Sequence, residues 1–368
     1  MSTDERHVAA ATLASLPLIT APRLRRMLEA FGDPEVTLAA VRAGRVTRYI
    51  GRCDDIEPAE LAAQWREFAE TNPVALQMQA RGTHVWIAGD DDYPILDPFP
   101  DRPQVLLGEG ARPDAFEATR VAIVGTRSAT PHGLADAREL GGFLADIGVT
   151  VVSGLALGID GAAHEGALDA GGLAIGVVAT GLDVTYPRRH RELYGRVREY
   201  GLVVGEHAYG VQPSRDRFPT RNRIIAALAQ VVVVVEATAT GGARITAKCA
   251  AEYGRDVWAV PGSRRNPAAA GCNALIGDGA GVIQEPSDLL VALGIGGTRP
   301  GPWASDGADG PSDRDEKAVL HALSGDPGTI DELERNTAAL GPARLGAALN
   351  RLERAGRVHR RRGLWWPN

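Results

Sequence analysis

Short segments of glycine, hydroxyl and arginine residues follow apolar runs of the chain and could bind an anion. Gly125-Thr126-Arg127-Ser128 follows one run, and Ser153-Gly154 ends the next. Glycine lets the backbone approach a ligand closely, and the free N–H groups where a helix begins attract negative charge. Arg127 adds a guanidinium that can hold a phosphate through two hydrogen bonds. These segments predict a phosphate-binding edge, although glycines also occur in ordinary strand-to-helix turns.

A second segment, Pro213 to Ile225, combines cations with one aromatic ring. Its candidate contact residues are Arg215, Phe218, Arg221, Asn222 and Arg223. Arginine neutralises phosphates and an exposed phenylalanine can stack on a base, a combination typical of single-stranded nucleic-acid sites. A core phenylalanine beside a solvated basic face would give the same pattern, so the direction of Phe218 stays open.

Sequence patterns of nucleotide-dependent and metal-dependent enzymes are absent. No GxGxxG follows the first apolar run, and GxxxxGK[ST] occurs nowhere in the sequence. The histidines and the three cysteines have no metal-ligand spacing. We see no arrangement of nucleophile, base and orienting group. The expectation is a protein that is not an enzyme and has no metal or cofactor.

Apolar runs that alternate with helical stretches predict how these segments are positioned. The runs are Val121–Gly125, Thr150–Gly154, Ala174–Val178, Leu202–Gly205, Val231–Val235 and Val257–Val260. Runs that are apolar on both faces are typical of a parallel sheet covered by helices. Residues 76–297 therefore predict a Rossmann-like, doubly wound α/β domain, whose strands bring their carboxyl ends to one ligand-binding edge.

Two smaller domains flank the predicted sheet. Residues 1–75 read as a helical, SAM-like or helix-hairpin-helix-like domain, with one helix entered at Pro22 and ended by Gly32. It could dock DNA or protein, or simply pack. Residues 298–314 have the Gly/Pro/Asp composition of a flexible linker. Residues 315–368 predict three helices and a β-hairpin, which is a winged helix.

The charge distribution matters more than the net charge of −6 over 368 residues. Arginines cluster between Arg188 and Arg223 and again between Arg351 and Arg362. Local clusters of cations are what a nucleic acid meets, so the acidic total does not exclude binding.

No apolar run reaches the ~20 residues that span a bilayer, and the first residues lack a signal-peptide pattern. We expect a cytoplasmic protein without a membrane partner.

An ordered set of short motifs resembles the DprA/Smf family over nearly the whole chain. The set is Asp92-Tyr93-Pro94, Gly125-Thr126-Arg127, Ser153 to Asp160, Gly181-Leu182-Asp183 with Tyr186-Pro187, Phe218 to Ile225, Val235-Glu236-Ala237, Ala259 to Gly262, and Gly271-Cys272-Asn273. The resemblance implies a homodimeric single-stranded DNA-binding protein that loads RecA in transformation or repair and displaces single-strand-binding protein. It implies a DNA contact at Arg215. Gly241, Ala243 and Leu157 depart from the family pattern, so we assign no side-chain contact there.

Two other functions stay open at this stage. One is a nucleotide-processing phosphoribohydrolase of the lonely-guy type, which shares a related fold. Those enzymes carry a PGGxGTxxE motif, and Thr240-Gly241-Gly242-Ala243 lacks both its proline and its glutamate. The other is a winged-helix transcription regulator with a ligand-sensing α/β domain. The C-terminal module supports that reading, whereas the basic edge of the sheet argues against it.

Overall fold

The computed structural model divides into two compact units, Met1–Gly297 and Thr298–Asn368. It describes residues 5–51, 56–71, 74–95, 99, 101–207, 209–295, 311–323, 328–337, 340–341, 345–346, 348–349, 352, 357–361 and 364–367. None of the helices in these ranges is both long enough and apolar enough to cross a membrane. Cys249 and Cys272 are free thiols, whereas Cys53 lies outside the described residues.

The described part of the larger unit contains a nine-stranded sheet. Its strands are β1 His84–Ile87, β2 Val105–Glu109, β3 Arg120–Val124, β4 Thr150–Ser153, β5 Ala174–Val177, β6 Leu202–Gly205, β7 Val231–Val234, β8 Asp256–Ala259 and β9 Gly281–Val282. They lie in the order β1-β2-β6-β5-β4-β3-β7-β8-β9. In this spatial order, every neighbouring pair from β6 across to β9 is parallel. At the other edge, β1 pairs with β2 and β2 pairs with β6, both antiparallel. The Rossmann-like sheet is confirmed; β1, β2 and β9 were not predicted.

Helices cover both faces of the sheet, as a doubly wound fold requires. The α-helices that follow β3 along the chain are α7 Pro131–Asp146, α8 Ile159–Asp169, α9 Arg191–Tyr200, α10 Arg217–Leu228, α11 Ala243–Glu252, α12 Ala270–Gly277 and α13 Asp288–Ala292. Alternate residues of β3 point to opposite faces. Val121 and Ile123 pack in one core with α7 and α8, whereas Ala122 and Val124 pack in another with α10 and α11.

Among the residues that the structure describes, six helices precede the sheet and pack in the same unit. They are α1 Glu5–Ala14, α2 Ala21–Phe31, α3 Pro34–Arg42, α4 Thr47–Ile50, α5 Pro58–Thr71 and α6 Val74–Arg81. Thr20 caps α2 and Gly32, at φ 80°, ends it, which confirms the predicted helix. Their core also contains Val85 and Leu107 of the sheet edge. A separate domain that ends at residue 75 stays a prediction.

The smaller unit has its own apolar core. Its described elements are α14 Pro311–Ala322, α15 Ile330–Asn336, β10 Val358–Arg361 and β11 Leu364–Pro367, and the two strands pair antiparallel. Val319, Leu333 and Trp365 pack together in this core. Helix α14 begins at Pro311, inside the range predicted as linker, and residues 298–310 lie outside the described residues. So does much of the predicted third helix, 342–355, with half of the arginines in the basic cluster from Arg351 to Arg362, namely Arg351, Arg354 and Arg362.

Candidate nucleic-acid interface

A cleft of about 650 Å³ opens at the point where the strand order of the sheet reverses. From β3 the chain proceeds outward through β4, β5 and β6 on one side, and then through β7, β8 and β9 on the other. Open α/β sheets bind ligands at such a switch point, outside the carboxyl ends of the strands. The predicted residues that line the cleft are Gly125, Thr126, Arg127, Arg215, Phe218, Arg221 and Asn222. We call this the switch-point cleft.

The loop after β3 is held by close backbone packing. The Thr126 N–H donates to the Glu236 carbonyl over 2.7 Å. A Cβ on Gly125 would lie 2.4 Å from Ile159 Cγ1, and one on Gly158 would lie 2.3 Å from the Thr126 oxygen. Gly158 also has a φ of 81°, which favours glycine. The loops after β3 and β4 can therefore approach each other only because both positions are glycine.

Glu236 holds the far end of the same loop, and we did not predict it as a site residue. Its side chain is buried, and its carboxylate accepts from the Thr130 N–H over 2.9 Å and from the Thr130 hydroxyl over 2.6 Å. Thr130 in turn caps the N-terminus of α7. Glu236 belongs to the Val-Glu-Ala motif, and an acid that directly follows an apolar strand is the sequence signal for such a role.

The ring of Phe218 lies at the wall of the switch-point cleft and not in the apolar core. It is half-buried, and the Arg127 Cζ lies 4.5 Å from its centroid. The ring of Tyr186 lies 5.5 Å away on another side, tilted by 39°. A cation over an aromatic face is attracted by the ring quadrupole. The direction of Phe218, which the sequence left open, is therefore toward the cleft.

Two arginines of the cleft present unneutralised charge to solvent. Arg127 and Arg215 are exposed, and neither has an acidic partner among the residues the structure describes. Asp160 is the one acid among the described lining residues; it is 6% exposed and accepts from the Gly154 N–H over 3.1 Å. Burial raises the pKa of Asp160, against the opposing effect of Arg221. The solvent-facing charge of the cleft is positive.

Arg221 and Arg223 were both predicted as DNA contacts, and the structure places both side chains in buried positions. Arg221 is 4% exposed, and its Nη1 donates to the carbonyls of Gly154, over 2.7 Å, and Val177. Burial lowers the pKa of its guanidinium, and Asp160 opposes this effect. Arg223 is 6% exposed and donates to Glu206 over 2.5 Å, in a different cavity. Residues two apart on a helix are about 200° apart, so these two cannot face one ligand.

Three further predicted residues do not line the switch-point cleft. Ser153 is fully buried and donates to the Ile123 carbonyl over 2.6 Å. Gly154 is buried too, and a Cβ there would lie 2.3 Å from the Arg221 Nη1. Ser128 is exposed but lies outside the lining. Asn222 does line it and donates to the Gly242 carbonyl over 3.2 Å. DNA contact by any of these residues stays a prediction.

Comparison with known proteins places this geometry in a family. Residues 84–294, more than half of the chain, match the family model described as DNA recombination-mediator protein A. The chain belongs to the DNA recombination-mediator protein A family. Residues 304–363 match the DprA winged helix domain, which confirms the predicted C-terminal fold.

Individual members of the DNA recombination-mediator protein A family resemble the chain over most of its length. A Mycobacterium tuberculosis relative that carries the DprA name is 39% identical over 306 residues, 78% of each chain. The crystal structure of DNA processing protein A from Streptococcus pneumoniae is 31% identical, with a TM-score of 0.65, over 79% of this chain and 98% of that one. The Helicobacter pylori protein, studied for its single-stranded DNA binding mode, is 28% identical, with a TM-score of 0.51, over 57% and 95%.

Proposed function

We propose that the protein binds single-stranded DNA in the switch-point cleft and presents it to a recombinase. The observation that carries this proposal is that the exposed pair Arg127 and Arg215 lines the same cleft as the half-buried Phe218 ring. Arginine contacts to phosphate give affinity that is independent of sequence, and an aromatic face stacks any base. The Helicobacter pylori relative, which was studied for single-stranded DNA binding, supports the same class of ligand.

The proposed mechanism is positioning. The loops after β3 and β7 and the start of α10 form a rigid edge, so that the strand meets fixed cations and a fixed ring. Such binding needs no nucleophile, metal or cofactor, and we propose that the protein is not an enzyme. The phosphoribohydrolase and transcription-regulator alternatives have no support from the family match.

The later steps are part of the same proposal. We infer that the protein acts in the cytoplasm as a homodimer, displaces single-strand-binding protein and loads RecA in transformation or repair. The family description as a recombination mediator supports this sequence of steps. A mediator must hold a strand by its backbone and leave most base edges free, which suits a cleft of arginines and one stacking ring.

The experiment is a fluorescence anisotropy titration of labelled oligo-dT and of a matching duplex at several salt concentrations. We expect preference for the single strand and a linear fall of log affinity with log salt. Arg127→Ala and Arg215→Ala should each weaken binding of all sequences alike. Each should also flatten the slope by about 0.7, the value for one phosphate contact on a single strand.

The matched control is Arg66→Ala on α5, an exposed arginine far along the chain from the cleft residues. It removes the same charge and should leave both affinity and slope unchanged. Equal affinity for single strand and duplex, or salt slopes in the Arg127 and Arg215 variants that match the Arg66 control, would overturn the proposal.

A further inference from the structure

A second cavity, of about 860 Å³, adjoins the switch-point cleft and shares one wall with it. It is lined by residues of the loop Asp183–Arg191 together with Gln212 and Pro213. Tyr186 lines both cavities. Tyr186 is 40% exposed, and its ring centroid lies 5.5 Å from that of Phe218. A flexible polymer in the cleft can therefore continue past Tyr186 without leaving the protein surface.

The second cavity carries its own positive charge. Arg188 and Arg191 line it, and both side chains are exposed. Neither has an acidic partner or a side-chain hydrogen bond within the described part of the chain. Arg191 begins α9, and Arg188 lies in the short 3-10 turn before it. Exposed guanidiniums that the protein itself does not neutralise are suited to phosphate oxygens.

The acids near this cavity cancel only part of that charge. Asp183 is the acid in its lining, and its carboxylate accepts from the Gly210 N–H over 2.8 and 3.0 Å. This bond holds the loop conformation, but the exposed carboxylate still contributes negative charge to the cavity. Glu192 is exposed in the first turn of α9 but does not line the cavity. The lining therefore holds two arginines and one carboxylate, and its net charge is positive.

The backbone around Tyr186 is fixed, which leaves its ring available. The Tyr194 hydroxyl donates to the Tyr186 carbonyl over 2.8 Å, and the Thr180 hydroxyl donates to the Val184 carbonyl over 2.9 Å. A stacking ring is most effective when its position is held before the ligand arrives, because less ordering has to accompany binding.

We propose that a single strand leaves the switch-point cleft over Tyr186 and continues along Arg188 and Arg191. In this path Tyr186 stacks on a base next to the one on Phe218, and the two arginines contact two further phosphates. The proposal rests on the proposed single-stranded DNA binding and extends it with a second, contiguous binding segment. It predicts a length requirement that the cleft alone does not impose.

The test compares two labelled oligo-dT probes, one of about 4 nucleotides for the cleft and one of about 12 for the whole path. The variant is Arg188→Ala with Arg191→Ala in the full chain. We expect the long probe to lose roughly tenfold in affinity at low salt and its salt slope to fall by about 1.4, for two phosphates. The short probe should bind as it does to the unchanged protein.

Two matched controls are Arg189→Ala, which tests whether the position of the lost charge matters, and Tyr186→Phe, which tests whether the ring or the hydroxyl of Tyr186 contributes to binding. Arg189→Ala removes a neighbouring exposed cation that lines neither cavity, and it should change neither probe. Tyr186→Ala should weaken the long probe more than the short one, and Tyr186→Phe should bind both normally. Circular dichroism should be unchanged in all of these surface variants.

The outcomes separate this inference from the proposed function. If the unchanged protein binds neither probe, the proposed function fails. If it binds both and the double arginine variant keeps the full advantage of the long probe, the extension fails while the proposed function stands. Equal losses on both probes for Tyr186→Ala would make that residue a support for Phe218 and would overturn its stacking role.

Discussion

The segment from Arg215 to Arg223 has two halves that use the same residue type in opposite ways. Arg215 is exposed and has no acidic partner among the described residues, whereas Arg221, six positions later, is 4% exposed and bonded to two main-chain carbonyls. Arg223 is also buried and paired with Glu206. A count of arginines thus overstates the DNA-facing charge. The exposed half can meet phosphate, and the buried half fixes the strand ends beneath it.

Arg221 connects the carboxyl ends of two strands. Its Nη1 reaches the carbonyls of Gly154, just after β4, and of Val177, the last residue of β5. Both carbonyls are buried, so without the guanidinium they would lose a partner that water cannot easily replace. Asp160 would also lose the nearby positive charge that opposes its burial. The edge on which the cleft is built depends on this buried cation.

Of the variants considered, Arg221→Met should therefore have the largest effect, which is a loss of stability. Two unsatisfied carbonyls and an uncompensated acid should lower the free energy of unfolding by about 3–5 kcal/mol. Urea denaturation followed by circular dichroism measures this change. The matched control is Arg215→Met, which makes the same substitution on the surface and should stay within about 0.5 kcal/mol. Equal stabilities of the two variants, with a flattened DNA salt slope for Arg221→Met, would reverse the comparison.

The next largest effect should be a loss of DNA affinity in variants of Phe218, which lies between the exposed Arg215 and the buried Arg221. Phe218→Ala should lose about ten- to a hundredfold in affinity for oligo-dT, because stacking contributes roughly 1–3 kcal/mol per base. Phe218→Trp keeps a flat ring and should bind normally. Anisotropy titration gives both values, and a thermal melt of each variant checks the fold. An alanine variant that melts much earlier while its folded fraction binds at full strength would make Phe218 a structural residue.

Most of the parallel sheet could be predicted from the sequence because its strands are apolar on both faces. Val231–Val234 needs a covered position on either side, which only a central strand provides. The antiparallel edge gave no such signal. His84–Ile87 has four residues, and Val105–Glu109 contains Gly108 and an acid. Glu109 is nonetheless buried, because Arg81 and Arg198 both pair with it from distant parts of the chain.

The site could be predicted in its location but not in the direction of each side chain. The glycine loops and the Phe218 segment do meet at one edge, because parallel strands end together. Helix spacing alone separates Arg221 from Arg223, since two residues correspond to about 200° of rotation. That both are buried depends on their partners Gly154 and Glu206, which are distant in sequence. The contribution of Tyr186 likewise depends on a contact with Phe218 across 32 positions of chain.

A smaller effect, on both stability and DNA affinity, should follow substitution of Glu236, the buried acid that holds the loop containing the exposed Arg127. Glu236→Gln keeps the size of the side chain but removes its charge, so the two charge-assisted bonds from Thr130 are replaced by weaker neutral ones. We expect about 1–2 kcal/mol of lost stability and a few-fold loss of DNA affinity through the Arg127 loop. Urea titration and anisotropy measure the two changes. An unchanged affinity in a clearly destabilised variant would mean that the loop keeps its position without this carboxylate.

The smallest effect should follow removal of the C-terminal unit, which extends the comparison to the second arginine cluster. A chain ending at Gly297 retains the whole compact unit that contains the switch-point cleft. In the basic cluster, the Arg360 Cζ lies 5.9 Å from the Trp365 ring, within the smaller unit. The truncated protein should therefore bind oligo-dT within a few-fold of the full chain and with nearly the same salt slope. Anisotropy measures affinity and slope, and circular dichroism checks the fold. Loss of single-strand binding in a correctly folded truncated protein would move the main site from the sheet edge to the tail.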